Sequence, residues 1–145
     1  MNKCMSDIYN SLQEIAWHFS GHGVNGECCG DLSFVEYMAL KNAYEKNDLS
    51  VQEIGNALNF TKSGATRIID RLEEKGYLNR KQSLSDGRVC CLEITLKGKE
   101  AIKEISQKYT LYLEDVLKDV EAQKIDEIKN TLGILLKALR QKKII

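Results

Sequence analysis

Two short amphipathic helices meeting through a tight turn constrain this chain more than any other stretch. In Phe60-Thr61-Lys62-Ser63-Gly64-Ala65-Thr66-Arg67-Ile68-Ile69-Asp70-Arg71-Leu72, a helical period puts Ala65, Ile68, Ile69 and Leu72 on one side. Lys62, Ser63, Thr66, Arg67 and Arg71 fall on the other. The first side packs. The second carries hydroxyls and guanidiniums, which suit phosphates and the edges of bases. Just upstream, Ser50-Val51-Gln52-Glu53 has the spacing of a capping box, and Ile54, Ala57 and Leu58 follow at helical intervals. Thr61 is placed to cap the second helix, so the pair has the form of a helix-turn-helix. A helix-helix corner with no nucleic-acid role has the same spacing.

The next residues narrow the choice. Gly76 is predicted to end the helix as its C′ residue, and Tyr77-Leu78-Asn79-Arg80-Lys81 reads as a short strand. A turn-rich run, Ser83-Leu84-Ser85-Asp86-Gly87-Arg88, leads into Val89-Cys90-Cys91-Leu92-Glu93-Ile94, where Cys90, Leu92 and Ile94 alternate with Cys91 and Glu93. Two strands joined by a basic-tipped turn directly after such a helix make a wing. Arg80, Lys81 and Arg88 stand at its base and tip, within reach of phosphate or the minor groove. A plain hairpin turn with a solvated Arg88 fits the same letters.

Residues 49–100 resemble the DNA-binding region of the MarR family of bacterial and archaeal transcriptional regulators. The resemblance is carried by Ile54 and Leu58 in the helix-turn-helix, the run from Thr66 to Glu73, Lys75-Gly76-Tyr77-Leu78, Asp86-Gly87-Arg88 at the wing tip, and Ile94-Thr95 followed by Gly98. These pieces stand in order over about a third of the chain. Many members carry a proline in the first turn of the recognition helix, where this chain has Ser63-Gly64, so operator letters do not transfer. The resemblance implies a sequence-specific regulator of double-stranded DNA, a repressor working as a homodimer on an inverted repeat. It also implies a very short third strand at Leu49-Ser50 and a ligand pocket between the dimer helices and the winged domain. Trp17, His18, Tyr37 and Tyr112 are the aromatic candidates to line that pocket; aromatic residues at helical spacing also serve as ordinary core.

The flanking segments fit a mainly α chain with a small β-wing. Over residues 1–30, a helix from Ser6 to Phe19 with Ile8, Leu12, Ile15, Ala16 and Phe19 on one stripe precedes a glycine-rich loop. Residues 31–98 form the winged helix-turn-helix, with Asp31 or Ser33 capping its first helix. Residues 99–145 supply a long helix opened by Thr95-Leu96-Lys97-Gly98, a break between Lys118 and Glu121, and a last helix. In that last helix Ile125, Ile128, Leu132, Leu135 and Leu139 are spaced 3, 4, 3 and 4 apart, a coiled-coil seam. A chain of 145 residues has too little core to cover three further amphipathic helices, so the terminal segments read as a dimerisation platform.

Composition bounds the remaining classes. Lysine plus arginine and aspartate plus glutamate both number 21, so the global charge points to no polyanion. Between Thr61 and Arg88, however, seven basic residues (62, 67, 71, 75, 80, 81, 88) face four acidic ones (70, 73, 74, 86). No secretory signal and no membrane-length apolar run is visible, which predicts a cytoplasmic protein. The five cysteines then read as reduced thiols. Cys28 and Cys29 lie in the glycine loop beside His22 and Glu27, a set able to hold a soft metal ion or a metalloid, or to react with an oxidant. No cofactor is required. Cys90 reads as a small inward-facing hydrophobe and Cys4 as incidental. No nucleophile motif or phosphate-binding glycine pattern supports an enzyme. The second non-enzymatic reading is a winged helix that binds protein and not DNA.

Overall fold

The computed structural model describes residues 2–19, 30–82 and 89–142, with side chains from residue 91 onward in the last stretch. The chain divides into two compact units, residues 1–102 and 103–145.

The first unit opens with α1 (Lys3–Phe19), which starts earlier than Ser6. The Asn2 side chain accepts the Cys4 N–H at 3.0 Å and the Asn2 carbonyl takes the Ser6 N–H, so the first turn forms three residues sooner. None of the residues of α1 is buried. α2 (Phe34–Glu45) is capped by Ser33 and not Asp31. Ser33 Oγ accepts the Glu36 N–H at 3.1 Å and Glu36 Oε1 accepts the Ser33 N–H at 2.9 Å, a complete capping box. Ser50 and Glu53 form the same box at the start of α3 (Val51–Ala57). Asn59 takes a positive φ of 56° to reverse the chain, and Thr61 caps α4 (Lys62–Glu74) by accepting the Gly64 N–H at 3.0 Å.

The corner between α3 and α4 closes on Gly55. A Cβ there would stand 3.1 Å from that of Ala65, so a larger residue would push the two helices apart. α4 buries Ala65, Ile69 and Leu72, with Ile68 half-buried. It ends in a Schellman motif: the Tyr77 N–H donates to Leu72 O and the Gly76 N–H to Glu73 O, with Gly76 at φ 82°.

β1 (Leu78–Gln82) and β2 (Val89–Ile94) pair antiparallel, with Leu78 opposite Ile94, Arg80 opposite Leu92, Lys81 opposite Cys91, and an irregularity at Lys81/Gln82. Leu92 is buried and Glu93 exposed, in line with the alternation, while Cys91 and Ile94 are half-buried. The Cys90 side chain lies outside the described residues. Among the described residues the sheet has two strands. The third strand expected at Leu49-Ser50 is reduced to one backbone bond, Leu92 N–H to Leu49 O at 2.8 Å, because the capping box at Ser50 turns the chain into α3 at once. The core gathers Leu40, Ile54, Ile69, Leu72 and Leu78, all fully buried. Each such side chain contributes about 1.5–3 kcal/mol.

α5 (Leu96–Val116) follows the wing, with Thr95 Oγ1 accepting the Gly98 N–H at its start. The second unit contains the later part of α5, a turn, and α6 (Ala122–Gln141). No residue of α6 is buried: Ile125, Ile128, Leu132 and Leu139 are 37–49% exposed. No helix among the described residues is long and apolar enough to cross a membrane.

Candidate nucleic-acid interface

The outward face of α4 is where the sequence argument put it. Lys62, Ser63, Thr66, Arg67 and Arg71 are all exposed, and Thr61, Lys62, Ser63, Thr66, Arg67 and Asp70 line one shallow depression. Among the described residues no carboxylate pairs with Lys62, Arg67 or Arg71, so these three cations keep their donors for an external acceptor. The Thr66 hydroxyl donates to Lys62 O at 2.9 Å, which turns it toward its own helix and leaves an acceptor lone pair and a methyl for a partner. Ser63 Oγ lies 3.3 Å from Thr61 Oγ1.

The wing residues have a different environment. Arg80 is only 24% exposed. Its guanidinium donates to Asp70 Oδ1 at 2.6 Å and Glu73 Oε1 at 3.0 Å, and its backbone N–H donates to Glu73 Oε2 at 3.0 Å. It ties β1 to α4. Lys81 Nζ lies 3.0 Å from Asp48 Oδ1, and that hydrogen bond and charge hold its pKa above the ordinary lysine value. Arg88 lies outside the described residues. The signal for the Arg80 pairing was present in outline: Asp70 and Glu73 are three apart on one helical face, and a Gly76 turn returns the chain past them.

His22, Glu27, Cys28 and Cys29 lie outside the described residues. Among the described ones no group of three or more histidine, cysteine, aspartate and glutamate side chains is placed to hold a metal ion. Cys4 is exposed and Cys91 half-buried. Trp17 and His18 lie exposed near the end of α1, Tyr37 half-buried on α2, and Tyr112 exposed on α5.

Sequence reasoning missed a polar cluster behind α4. Glu36, 3% exposed, receives Lys75 Nζ at 2.8 Å on one oxygen and 3.3 Å on the other, and Lys75 Nζ also donates to Asp31 O at 2.6 Å. The Tyr77 hydroxyl donates to the Asp31 carboxylate. Lys97 Nζ sits 4.5 Å above the Tyr77 ring and donates to Lys75 O at 2.6 Å. Burial pushes the Glu36 carboxyl upward, but its bonds to Lys75 and Ser33 outweigh this and the net shift is down. Burial, then the Asp31 carboxylate, raise the Tyr77 phenol to about 12. The pairs are 39 and 46 residues apart in sequence, beyond any periodicity.

A winged helix-turn-helix in this order, with a cationic helix face left unpaired, matches a known family model, described as the MarR family, over residues 32–90. The winged helix-turn-helix of this chain matches the MarR family. MarR-type relatives are transcriptional regulators and not enzymes. The HTH-type transcriptional regulator MhqR of Bacillus subtilis (strain 168) is 28% identical over 142 residues, covering 95% of this chain and 92% of that one. The structure of a MarR family protein from Bacillus stearothermophilus superimposes with a TM-score of 0.84 at 24% identity, covering 97% and 99% of the two chains. Streptococcus pneumoniae FabT in complex with DNA gives a TM-score of 0.72 at 22% identity, covering 98% and 96%. The MarR fold therefore extends over nearly the whole chain, beyond the segment that the family model matches.

Proposed function

We propose that this MarR-type DNA-binding regulator works in the cytoplasm as a homodimeric repressor on an inverted-repeat operator, and that an effector lowers its DNA affinity. Residues 31–98 are the DNA-binding domain, and residues 1–30 and 99–145 the dimerisation platform. The observation that carries the reading is the exposed face of α4, on which Lys62, Arg67 and Arg71 have no carboxylate partner among the described residues. The apolar residues left exposed on α1 and α6, among them Ile8, Ile15, Leu132 and Leu139, support a second copy as their cover. The structure of FabT with DNA supports the use of the same fold on a duplex.

A two-fold dimer with recognition helices about 34 Å apart enters successive major grooves on one face of B-DNA. In each half-site Arg67 and Thr66 read base edges, while Lys62, Ser63 and Arg71 set the register on phosphates. Lys81 and Arg88 add wing contacts. Arg80 reaches DNA only by giving up its carboxylates, and contributes chiefly by holding the wing. Binding needs no cofactor. Cys28 and Cys29, with His22 and Glu27, are the candidate attachment point for an oxidant, soft metal or metalloid effector. Trp17, His18, Tyr37 and Tyr112 are the candidates for an organic one.

The test is fluorescence anisotropy of the reduced protein on DNA from its own upstream region and on random DNA, across a salt series. Tight, salt-sensitive binding with a preference for the upstream DNA is expected, and Arg67→Ala should lose roughly 10-fold or more of that preference. Salt-independent association, or an R67A variant with undiminished preference, refutes the assigned reading mode. Release by zinc, a trivalent arsenical or an oxidant in wild type but not in C28A/C29A identifies the thiol effector.

A further inference from the structure

We propose that Lys75 and Tyr77 are positioning residues for DNA recognition: with Asp31 and Glu36 they lock the C-terminal end of α4 to the N-terminal end of α2, and so set the angle at which Arg67 and Thr66 meet the bases. The inference rests on the DNA-reading function proposed above.

Two residues, on either side of Gly76, tie together α4, the start of α2 and the start of α5. Lys75 is the C-cap of α4, and its ammonium is shared between the buried Glu36 carboxylate and the Asp31 carbonyl. Tyr77, 7% exposed, is gripped at three points. Its N–H closes the Schellman motif on Leu72 O, its carbonyl accepts the Thr95 N–H at 3.0 Å, and its hydroxyl donates to Asp31. Its ring also lies under Lys97 at the start of α5. Glu36 is itself held by the capping box of α2, so the anchor is rigid. Hydrophobic contacts from Ala65, Ile69 and Leu72 hold α4 down, but apolar packing is non-directional and tolerates a small tilt. Charge-assisted bonds at one end do not.

The lever is long enough to matter. From Lys75 to Arg67 the helix runs about 12 Å at 1.5 Å per residue, so a tilt of about 5° about the lock moves Arg67 by about 1 Å. A bidentate base contact does not survive that displacement, because hydrogen bonds weaken steeply outside their narrow distance range. Non-specific attraction to phosphates falls off slowly with distance and does survive it. Lys75 therefore acts on specificity while its own charge is occupied away from DNA.

The experiment compares wild type, Tyr77→Phe, Lys75→Met, Lys75→Arg and the double variant Glu36→Gln/Lys75→Met. Each is measured for affinity to upstream and random DNA, for salt slope and for thermal stability. Y77F and K75M should bind random DNA within about 2-fold of wild type with the same salt slope, yet lose roughly 10-fold in preference. K75R should recover most of the preference. E36Q removes the buried charge that K75M orphans, so the double variant should regain stability without regaining preference. Preference retained by folded Y77F and K75M overturns the lock. So does a K75M loss accompanied by a shallower salt slope, which would make Lys75 a phosphate contact. A wild type with no salt-sensitive DNA binding overturns the DNA-reading function itself, and the lock with it.

Discussion

Gly98→Ala and Gly133→Ala are the same substitution in two α-helices, and the structure gives them opposite signs. Helix propensity alone favours alanine over glycine by about 1 kcal/mol at both positions. At Gly133 a Cβ meets nothing within 4 Å, and the residue lies one position past Leu132, off the 3-4 seam, so that gain should appear in full. At Gly98 a Cβ would overlap the Tyr77 carbonyl oxygen and stand 2.7 Å from Ile94 Cγ1. An ordinary carbon contact needs about 3.5–4.0 Å, so Ile94 must retreat by about 1 Å and the Tyr77 peptide by more. That movement breaks the start of α5. The Gly98 N–H donates to Thr95 Oγ1 at 3.1 Å, the Thr95 hydroxyl lies 2.7 Å from Gly76 O and 3.0 Å from Tyr77 O, and the Thr95 N–H donates to Tyr77 O. Overpacking costs about 1–3 kcal/mol and a lost cap about 1 kcal/mol, so a net destabilisation of about 1–3 kcal/mol is expected once the propensity gain of about 1 kcal/mol is subtracted. Urea titrations followed by far-UV circular dichroism should show a lowered midpoint for G98A and a raised one for G133A, with m-values unchanged. A G98A protein as stable as wild type would refute the close approach of α5 to the wing base, and the account of Tyr77 built on it.

Two further outcomes follow from buried charge and from exposed apolar surface. The Glu36 carboxyl lies below its ordinary value of 4.5, so its contribution is fully present above that pH and is lost as pH falls through the lowered value. Wild-type stability should therefore decline below about pH 4.5 more steeply than that of E36Q, and identical acid profiles would show that the pair with Lys75 contributes nothing. In the proposed dimer, Leu132→Glu places a charge in the α6 seam of both copies, and since each leucine buried there would contribute about 1.5–3 kcal/mol, association should weaken by two orders of magnitude or more in sedimentation equilibrium. A dimer of unchanged strength would move the interface away from that seam.

The residues that were legible in advance are those whose partners are near in sequence. Ser50 with Glu53, Thr61 with Gly64, and Gly76 at the end of α4 all act within three or four residues, and the period of the apolar side of α4 needs no knowledge of what it packs against. Hence the helix-turn-helix, the wing and the exposed basic face could be read from the letters. Even locally, competition between caps was undecided: Asp31 and Ser33 both fit α2, and only the bond from the Tyr77 hydroxyl to the Asp31 carboxylate shows why Ser33 is the one that caps.

The sequence by itself determined which segments become helices, where they stop, and which face of α4 is free, because these depend on backbone capping and on a period of 3.6 residues. Tertiary structure alone decided what each charge does. Arg67 and Arg80 are both arginines in one basic stretch, yet the first makes no ion pair with any carboxylate described and the second is clasped by Asp70 and Glu73. Lys75 belongs to the same stretch and is spent on Glu36, 39 residues away. A cation's role depends on which carboxylates the fold brings within about 4 Å, and that proximity exists only once chain segments distant in sequence have packed together.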